Sequence, residues 1–188
     1  MYEVEMKFRV SDRKAFEERL HNEFGGILGP SVEEVDLFYQ HPQRDFSVTD
    51  ECLRIRRRKS PKGTEEKSLT YKGPKIDQKT KTRREIEIQI DPQEPYETLL
   101  ELLGFQAKET VRKFRRRCEL LISNQCVEVV LDILPELEKN KGQGTFVEVE
   151  TIASESDWEE KRELIINLSK KLGFSEPVQE SYLELTRS

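Results

Sequence analysis

The sequence predicts an α+β fold in which one antiparallel sheet carries helices on a single side. Three observations predict it. Segments of strand length alternate charged and apolar residues, so each has one face that needs cover and one that is strongly polar. Three longer segments open at Ser or Asp and stop at Gly, as helices able to supply that cover do. A strand-helix unit recurs three times with no Gly-, Ser- or Pro-rich linker between copies, so residues 1–188 read as one domain sharing one sheet.

Glu3–Phe8 sets the pattern, with Glu3, Glu5 and Lys7 on one face and Val4, Met6 and Phe8 on the other. Ser11 or Asp12 caps a helix through Phe24, which Gly25 and Gly26 end. A strand at Glu34–Gln40 leads to a loop at His41–Thr49. Leu53–Arg58 places Arg54, Arg56 and Arg58 on one face, and the turn Ser60–Glu66 returns the chain as a strand at Lys67–Lys72. After a polar loop at Lys75–Lys81, Arg83–Ile90 sets Arg83, Glu85 and Glu87 against Arg84, Ile86, Ile88 and Ile90. Asp91 caps a helix to about Leu103, stopped by Gly104. Strands follow at Thr110–Ser123 and Gln125–Ile133, then a loop at Pro135–Thr145 and a strand at Phe146–Ile152. Ser154 or Ser156 opens a helix to Leu172, stopped by Gly173, and a last strand spans Glu180–Leu185. The recurring unit therefore runs from Glu3/Glu5 to Gly25, from Glu85/Glu87 to Gly104, and from Glu148/Glu150 to Gly173.

Composition narrows the function. Charged residues make up 37% of the chain, well above the usual quarter or so, yet 32 Lys+Arg against 37 Asp+Glu leave a net charge of only -5. That balance argues against a nucleic-acid binder. Cys52, Cys118 and Cys126 fit no metal or disulfide spacing, and His21 and His41 are too isolated for a triad or an imidazole metal site. No stretch resembles a signal peptide or a membrane span, so a soluble, cytoplasmic protein is expected.

The chemistry lies in what shares the charged faces. Acids recur there as Glu3, Glu5, Glu85, Glu87, Asp132, Glu148 and Glu150; bases recur as Lys7, Arg54, Arg56, Lys72, Arg83, Lys113 and Arg115. These faces point either to bulk solvent, as in an ordinary amphipathic sheet, or into the lumen of a closed barrel. In a lumen the two sets converge. Carboxylates suit hard divalent cations, and Arg and Lys suit phosphate oxygens, so a metal-bound polyphosphate would satisfy both. Gly142-Gln143-Gly144 precedes a strand and lacks the Gly-Lys-Ser/Thr ending of a phosphate loop, so it reads as a turn.

Glu3-Val4-Glu5-Met6-Lys7 resembles the Glu-x-Glu-x-Lys signature of the CYTH domain, or triphosphate tunnel metalloenzymes. Tyr71-Lys72-Gly73-Pro74, Thr82-Arg83-Arg84-Glu85-Ile86-Glu87, Ser181-Tyr182-Leu183-Glu184-Leu185, and the segment from Asp36 to Arg56 resemble its class IV adenylyl cyclase branch. The resemblance covers nearly the whole chain. It implies an eight-stranded antiparallel β-barrel with helices packed outside, whose tunnel binds a triphosphate with Mg²⁺ or Mn²⁺. By resemblance, Glu3, Glu5, Glu148 and Glu150, with Asp132 nearby, hold metal. Lys7, Arg54, Arg56, Lys72, Arg83, Lys113 and Arg115 grip phosphates, and Lys7, Lys72 and Glu5 act in the chemistry. Arg58 and Arg117, near strand ends, read as rim charges, and Glu85 and Glu87 either neutralise the bases or take part directly. Tyr182 closes the tunnel, stacks on a substrate base, or simply packs in the core.

The resemblance implies conversion of ATP to cyclic AMP and pyrophosphate. Hydrolysis of inorganic or thiamine triphosphate in the same tunnel is the alternative, since no residue in the sequence fixes which phosphorus is attacked. A non-catalytic polyphosphate or nucleotide sensor is a third reading. The intact Glu3/Glu5 and Glu148/Glu150 pairs count against it, because a sensor needs the bases but not the metal acids. A homodimer is suggested only by the resemblance.

Overall fold

The computed structural model describes residues 1–77 and 79–187. The strands are β1 (Tyr2–Arg9), β2 (Val32–Gln40), β3 (Cys52–Lys59), β4 (Glu65–Lys75), β5 (Arg83–Gln89), β6 (Gln106–Ile122), β7 (Gln125–Ile133) and β8 (Thr145–Ala153). They close into a barrel in the order β1-β5-β4-β3-β2-β6-β7-β8, with every neighbouring pair antiparallel. Closure decides the question that alternation leaves open, because the charged faces turn inward.

The apolar core consequently lies outside the barrel wall. Helices α1 (Arg13–Phe24) and α5 (Trp158–Lys171) cover Val4, Met6, Phe8, Val127, Val129, Val147 and Val149. Helix α3 (Glu94–Leu102) covers Leu53, Ile55 and Tyr39 through Leu100. The caps of α1 are those the sequence indicates: the Asp12 carboxylate accepts from Ala15 N at 3.0 Å, and Gly25 takes the left-handed φ of 66° that ends the helix. No helix among the described residues is long and apolar enough to cross a membrane.

Several segments depart from the sequence reading. The expected last strand at Glu180–Leu185 is instead helix α6 (Tyr182–Arg187). Its start is a reciprocal capping box: Ser181 N donates to Glu184 Oε2 at 2.6 Å, and Glu184 N donates to Ser181 Oγ at 3.2 Å. Leu185 then packs with Val111, Leu134 and Phe146 at one end of the barrel. The expected loops also contain helices. Within His41–Thr49 lies α2 (Phe46–Thr49), capped by Asp45; within Pro135–Thr145 lies α4 (Pro135–Lys141), which has proline in its first turn and ends at Gly142. Asp91 does not cap α3; it precedes a cis bond to Pro92, and the helix begins after Gln93 with no side-chain cap. The apolar face of β5 lacks cover, leaving Ile86 46% and Ile88 50% exposed. Gln78, within the expected Lys75–Lys81 loop, lies outside the described residues, but the rest of that segment is tied in. Asp77 Oδ2 accepts from Thr80 N at 2.7 Å, and Lys81 N donates to Glu5 O at 2.8 Å.

Candidate active site

The lumen holds a cavity of about 550 Å³, within the size range of small-molecule sites. Most of its lining residues are charged: Glu3, Glu5, Glu85, Glu87, Glu128, Glu148 and Glu150 face Arg54, Arg56, Arg58, Lys72, Lys113, Arg115 and Arg117. Barrel register puts them there, because residues two apart on each strand share a face and directly paired residues lie side by side.

One group of acids gathers at β1 and β8. Glu5 pairs directly with Glu150 across these strands, and ligand oxygens of Glu3, Glu5 and Glu150 all lie within 4.8 Å of one another. Like charges in such cross-strand contact repel. Glu3 is partly compensated by an ion pair to Lys72, which also reaches Glu85 at 3.0 Å. Glu150 has no hydrogen bond or ion pair among the described residues. Burial pushes its carboxyl well above the usual carboxylate range, and Glu3 adds to the effect. Burial raises Glu3 as well, against the pull of Lys72.

The remaining buried acids are spent on bases. Arg115 forks onto Asp132, with Nε at 2.7 Å from Oδ1 and Nη2 at 2.5 Å from Oδ2, and its Nη2 also reaches Glu148. Arg56 forks in the same way onto Asp36 at 2.5 and 2.7 Å and lies 3.1 Å from Glu34. Lys113 sits between Glu34 at 3.4 Å and Asp132 at 3.3 Å. Despite burial, which acts the other way, the flanking cations hold Glu34, Asp36 and Glu148 below the usual carboxylate range; Arg56 is the chief partner of the first two and Arg115 of the third. The acids thus divide: Glu3, Glu5 and Glu150 form an incompletely neutralised oxygen cluster, and the others orient the arginines. A cluster of carboxylate oxygens is the donor set that Mg²⁺ and Mn²⁺ prefer, so the residues present fit such an ion.

At its inner end the lumen is closed by the C-terminal segment. Val178 N donates to Lys7 O at 2.7 Å, and the Glu180 carbonyl accepts from Lys7 Nζ at 2.5 Å and Lys81 Nζ at 3.1 Å. The Tyr182 hydroxyl donates to Asp132 Oδ2 at 2.8 Å, and its ring centre lies 4.1 Å from Lys7 Nζ and 5.0 Å from Lys113 Nζ. Burial and neighbouring Lys81 push the Lys7 ammonium well below the ordinary lysine range.

Residues 1–182 match the CYTH domain family. This chain belongs to that family. A protein of Methanocaldococcus jannaschii named as a proposed adenylate cyclase is 32% identical over 190 residues, covering 98% of each chain. The structure of a Pyrococcus horikoshii protein superposes with a TM-score of 0.78 at 36% identity, covering 97% of both chains. A Hippeastrum protein, a proposed adenylyl cyclase described as having a dominant triphosphatase activity, shares the fold with a TM-score of 0.62 at 20% identity, covering 98% of this chain and 95% of its own.

Within this CYTH barrel the expected residues do not all fall where the sequence places them. Glu3, Glu5 and Glu150 converge. Glu148 and Asp132 lie in the lumen but belong with Arg115, because the cross-strand register sets Arg115 opposite Asp132. Lys7, Arg54, Arg56, Lys72, Lys113 and Arg115 all point inward. Arg83 does not reach the cavity; its guanidinium turns to Asp50 at the other end of the barrel, 3.2 Å from the carbonyl and 3.4 Å from Oδ1. Arg58 and Arg117 stand at the wider end and converge on Glu34. Sequence reasoning missed Glu34, Asp36 and Lys81. The first two carried a signal, since Glu34-Val35-Asp36-Leu37 alternates as β1 does. Lys81 carried none, because it lies between strands.

Proposed function

We propose that this CYTH barrel binds the triphosphate chain of ATP together with Mg²⁺ or Mn²⁺ and forms cyclic AMP, releasing pyrophosphate. The observation that carries the reading is the buried juxtaposition of an incompletely neutralised carboxylate cluster with a wall of pre-oriented arginines and lysines. Neither half is at ease alone, and a metal-bound triphosphate completes both.

Glu3, Glu5 and Glu150 would hold the ion. Bound there, it would polarise the attacking oxygen and neutralise charge developing on the phosphates. Arg54, Arg56, Lys113 and Arg115 are held in place by Asp36, Glu34 and Asp132, so little reorganisation is needed when phosphate oxygens arrive. Lys72, already beside Glu3, lies where it can serve a phosphate next to the ion. In the cyclase reaction the ribose 3′-hydroxyl attacks the α-phosphorus, its proton leaves, and the bond to the β-phosphate oxygen breaks.

A specific observation supports a second reading, hydrolysis of inorganic or thiamine triphosphate. The cavity lining is rich in groups that suit phosphate, but among the described residues that line it there is no Asn, Gln, Ser or Thr with which to read a purine edge; the neutral polar side chains there are Tyr2 and Tyr182. Product analysis separates the two. Purified protein is incubated with ATP, inorganic triphosphate or thiamine triphosphate, each with Mg²⁺ or Mn²⁺. Cyclic AMP and pyrophosphate from ATP, lost in Glu5→Gln, supports the cyclase. Orthophosphate without cyclic AMP supports the triphosphatase. Metal-independent binding without turnover, retained in Glu5→Gln, makes the barrel a sensor.

A further inference from the structure

The inner end of the lumen is blocked by the chain's own C-terminal segment, and cations stand on both sides of the block. Lys113 lines the cavity and faces the Tyr182 ring, and Lys7, held on the strap, faces the same ring. Beyond the block lies a second cavity of about 140 Å³, lined by Lys75, Lys81 and Arg83 of the barrel and by Ser181 and Leu183 of the segment itself. A positively charged path thus runs along the barrel, interrupted by one strap of chain. At the interruption the strap supplies what a phosphate would: the Glu180 carbonyl accepts from both Lys7 and Lys81.

The block stands close to the metal-binding candidates. Glu5 and Lys7 lie two residues apart on β1, roughly 7 Å along the strand. A phosphate chain entering from the wide end and held at Glu5 and Glu150 has only that distance before it meets the Glu180 carbonyl and the Tyr182 ring. A short chain fits and a longer one collides.

We propose that the ring of Tyr182, packed edge-on against Phe146 and faced by Lys7 and Lys113, limits substrate chain length, restricting the tunnel to triphosphates and excluding longer linear polyphosphates. This rests on the reading of the cavity as a triphosphate site. Removing the ring would open the lumen toward the second cavity, where Arg83 holds Asp50 and Lys81 holds the strap carbonyl while also lying 3.7 Å from Glu5.

The test compares affinities for inorganic tripolyphosphate and tetrapolyphosphate by calorimetry, in wild type, Tyr182→Ala and Tyr182→Phe, with Mg²⁺ present. Wild type is expected to favour the shorter chain by about tenfold or more, as steric exclusion in a closed pocket does. Tyr182→Phe keeps the ring and should retain the preference. Tyr182→Ala should bring the two affinities to within about threefold, chiefly by tightening tetrapolyphosphate. A merely structural role would weaken both ligands together and leave their ratio unchanged; that result overturns the inference while the triphosphate reading stands. Equal affinities in wild type also overturn it. If wild type binds neither compound, the triphosphate reading fails and the inference falls with it. Should Tyr182→Ala melt too low to titrate, Tyr182→Leu fills less of the lumen while keeping an apolar contact, and the same ratio is read.

Discussion

Glu150 is the residue on which the site turns. Its carboxylate is half-buried opposite Glu5, and no cation pairs with it among the described residues. A carboxyl whose folded-state pKa is raised supports the fold below the ordinary carboxylate range and loses that support as pH rises through its raised value. Metal-free Glu150→Gln should therefore melt higher than wild type near neutral pH, by about 1 kcal/mol or roughly 2–4 °C, with the gap closing toward pH 4. Melting curves across pH in EDTA check this; a lower melting point for the variant at neutral pH contradicts it. Glu34 is the opposite case, fully buried among Arg56, Arg58, Lys113 and Arg117. Glu34→Gln removes the one carboxylate that all four cations share and should cost about 3–5 kcal/mol in urea unfolding. The alternation of β1 and β8 makes Glu3, Glu5 and Glu150 legible in the sequence. The division of labour among acids was not, because whether a carboxylate meets a base or another acid depends on which strands are neighbours and in what register. Asp132 and Glu148 look like Glu150 until β6 is placed beside β7.

Among the elements, the strands and the long helices α1, α3 and α5 could be read from charge alternation, glycine stops and their apolar stretches. The short helices could not. With four residues in α2 and seven in α4, fewer than two turns are available for a periodic pattern to repeat. In α6 the segment Leu183-Glu184-Leu185 mimics strand alternation, and only the Ser181/Glu184 capping box gave the helix away. That helix closes the lumen, so its stability bears on the site. Leu185, buried against Phe146 and Val111, anchors it. Leu185→Ala should cost about 2–3 kcal/mol and appear first as lost amide protection across residues 182–187 in hydrogen exchange. If protection there is unchanged, the strap is held by its polar contacts alone.

For the molecule as a whole, the fold inverts the usual arrangement: the apolar core lies outside the barrel wall and the charge lies inside it. The high charged fraction and small net charge are the compositional trace of that inversion, since acids and bases face one another across the lumen. Closure itself could not be derived from alternation, which an open sheet with one wet face would show equally; the family resemblance supplied it and the strand order bears it out. The central claim is that this interior holds a divalent ion at Glu3, Glu5 and Glu150. Its most direct test is a titration of Mn²⁺ into the protein followed by electron paramagnetic resonance, in wild type and in Glu150→Gln. Saturable Mn²⁺ binding is expected, tightened by tripolyphosphate and weakened about tenfold or more in the variant. Unchanged Mn²⁺ affinity in Glu150→Gln would contradict it.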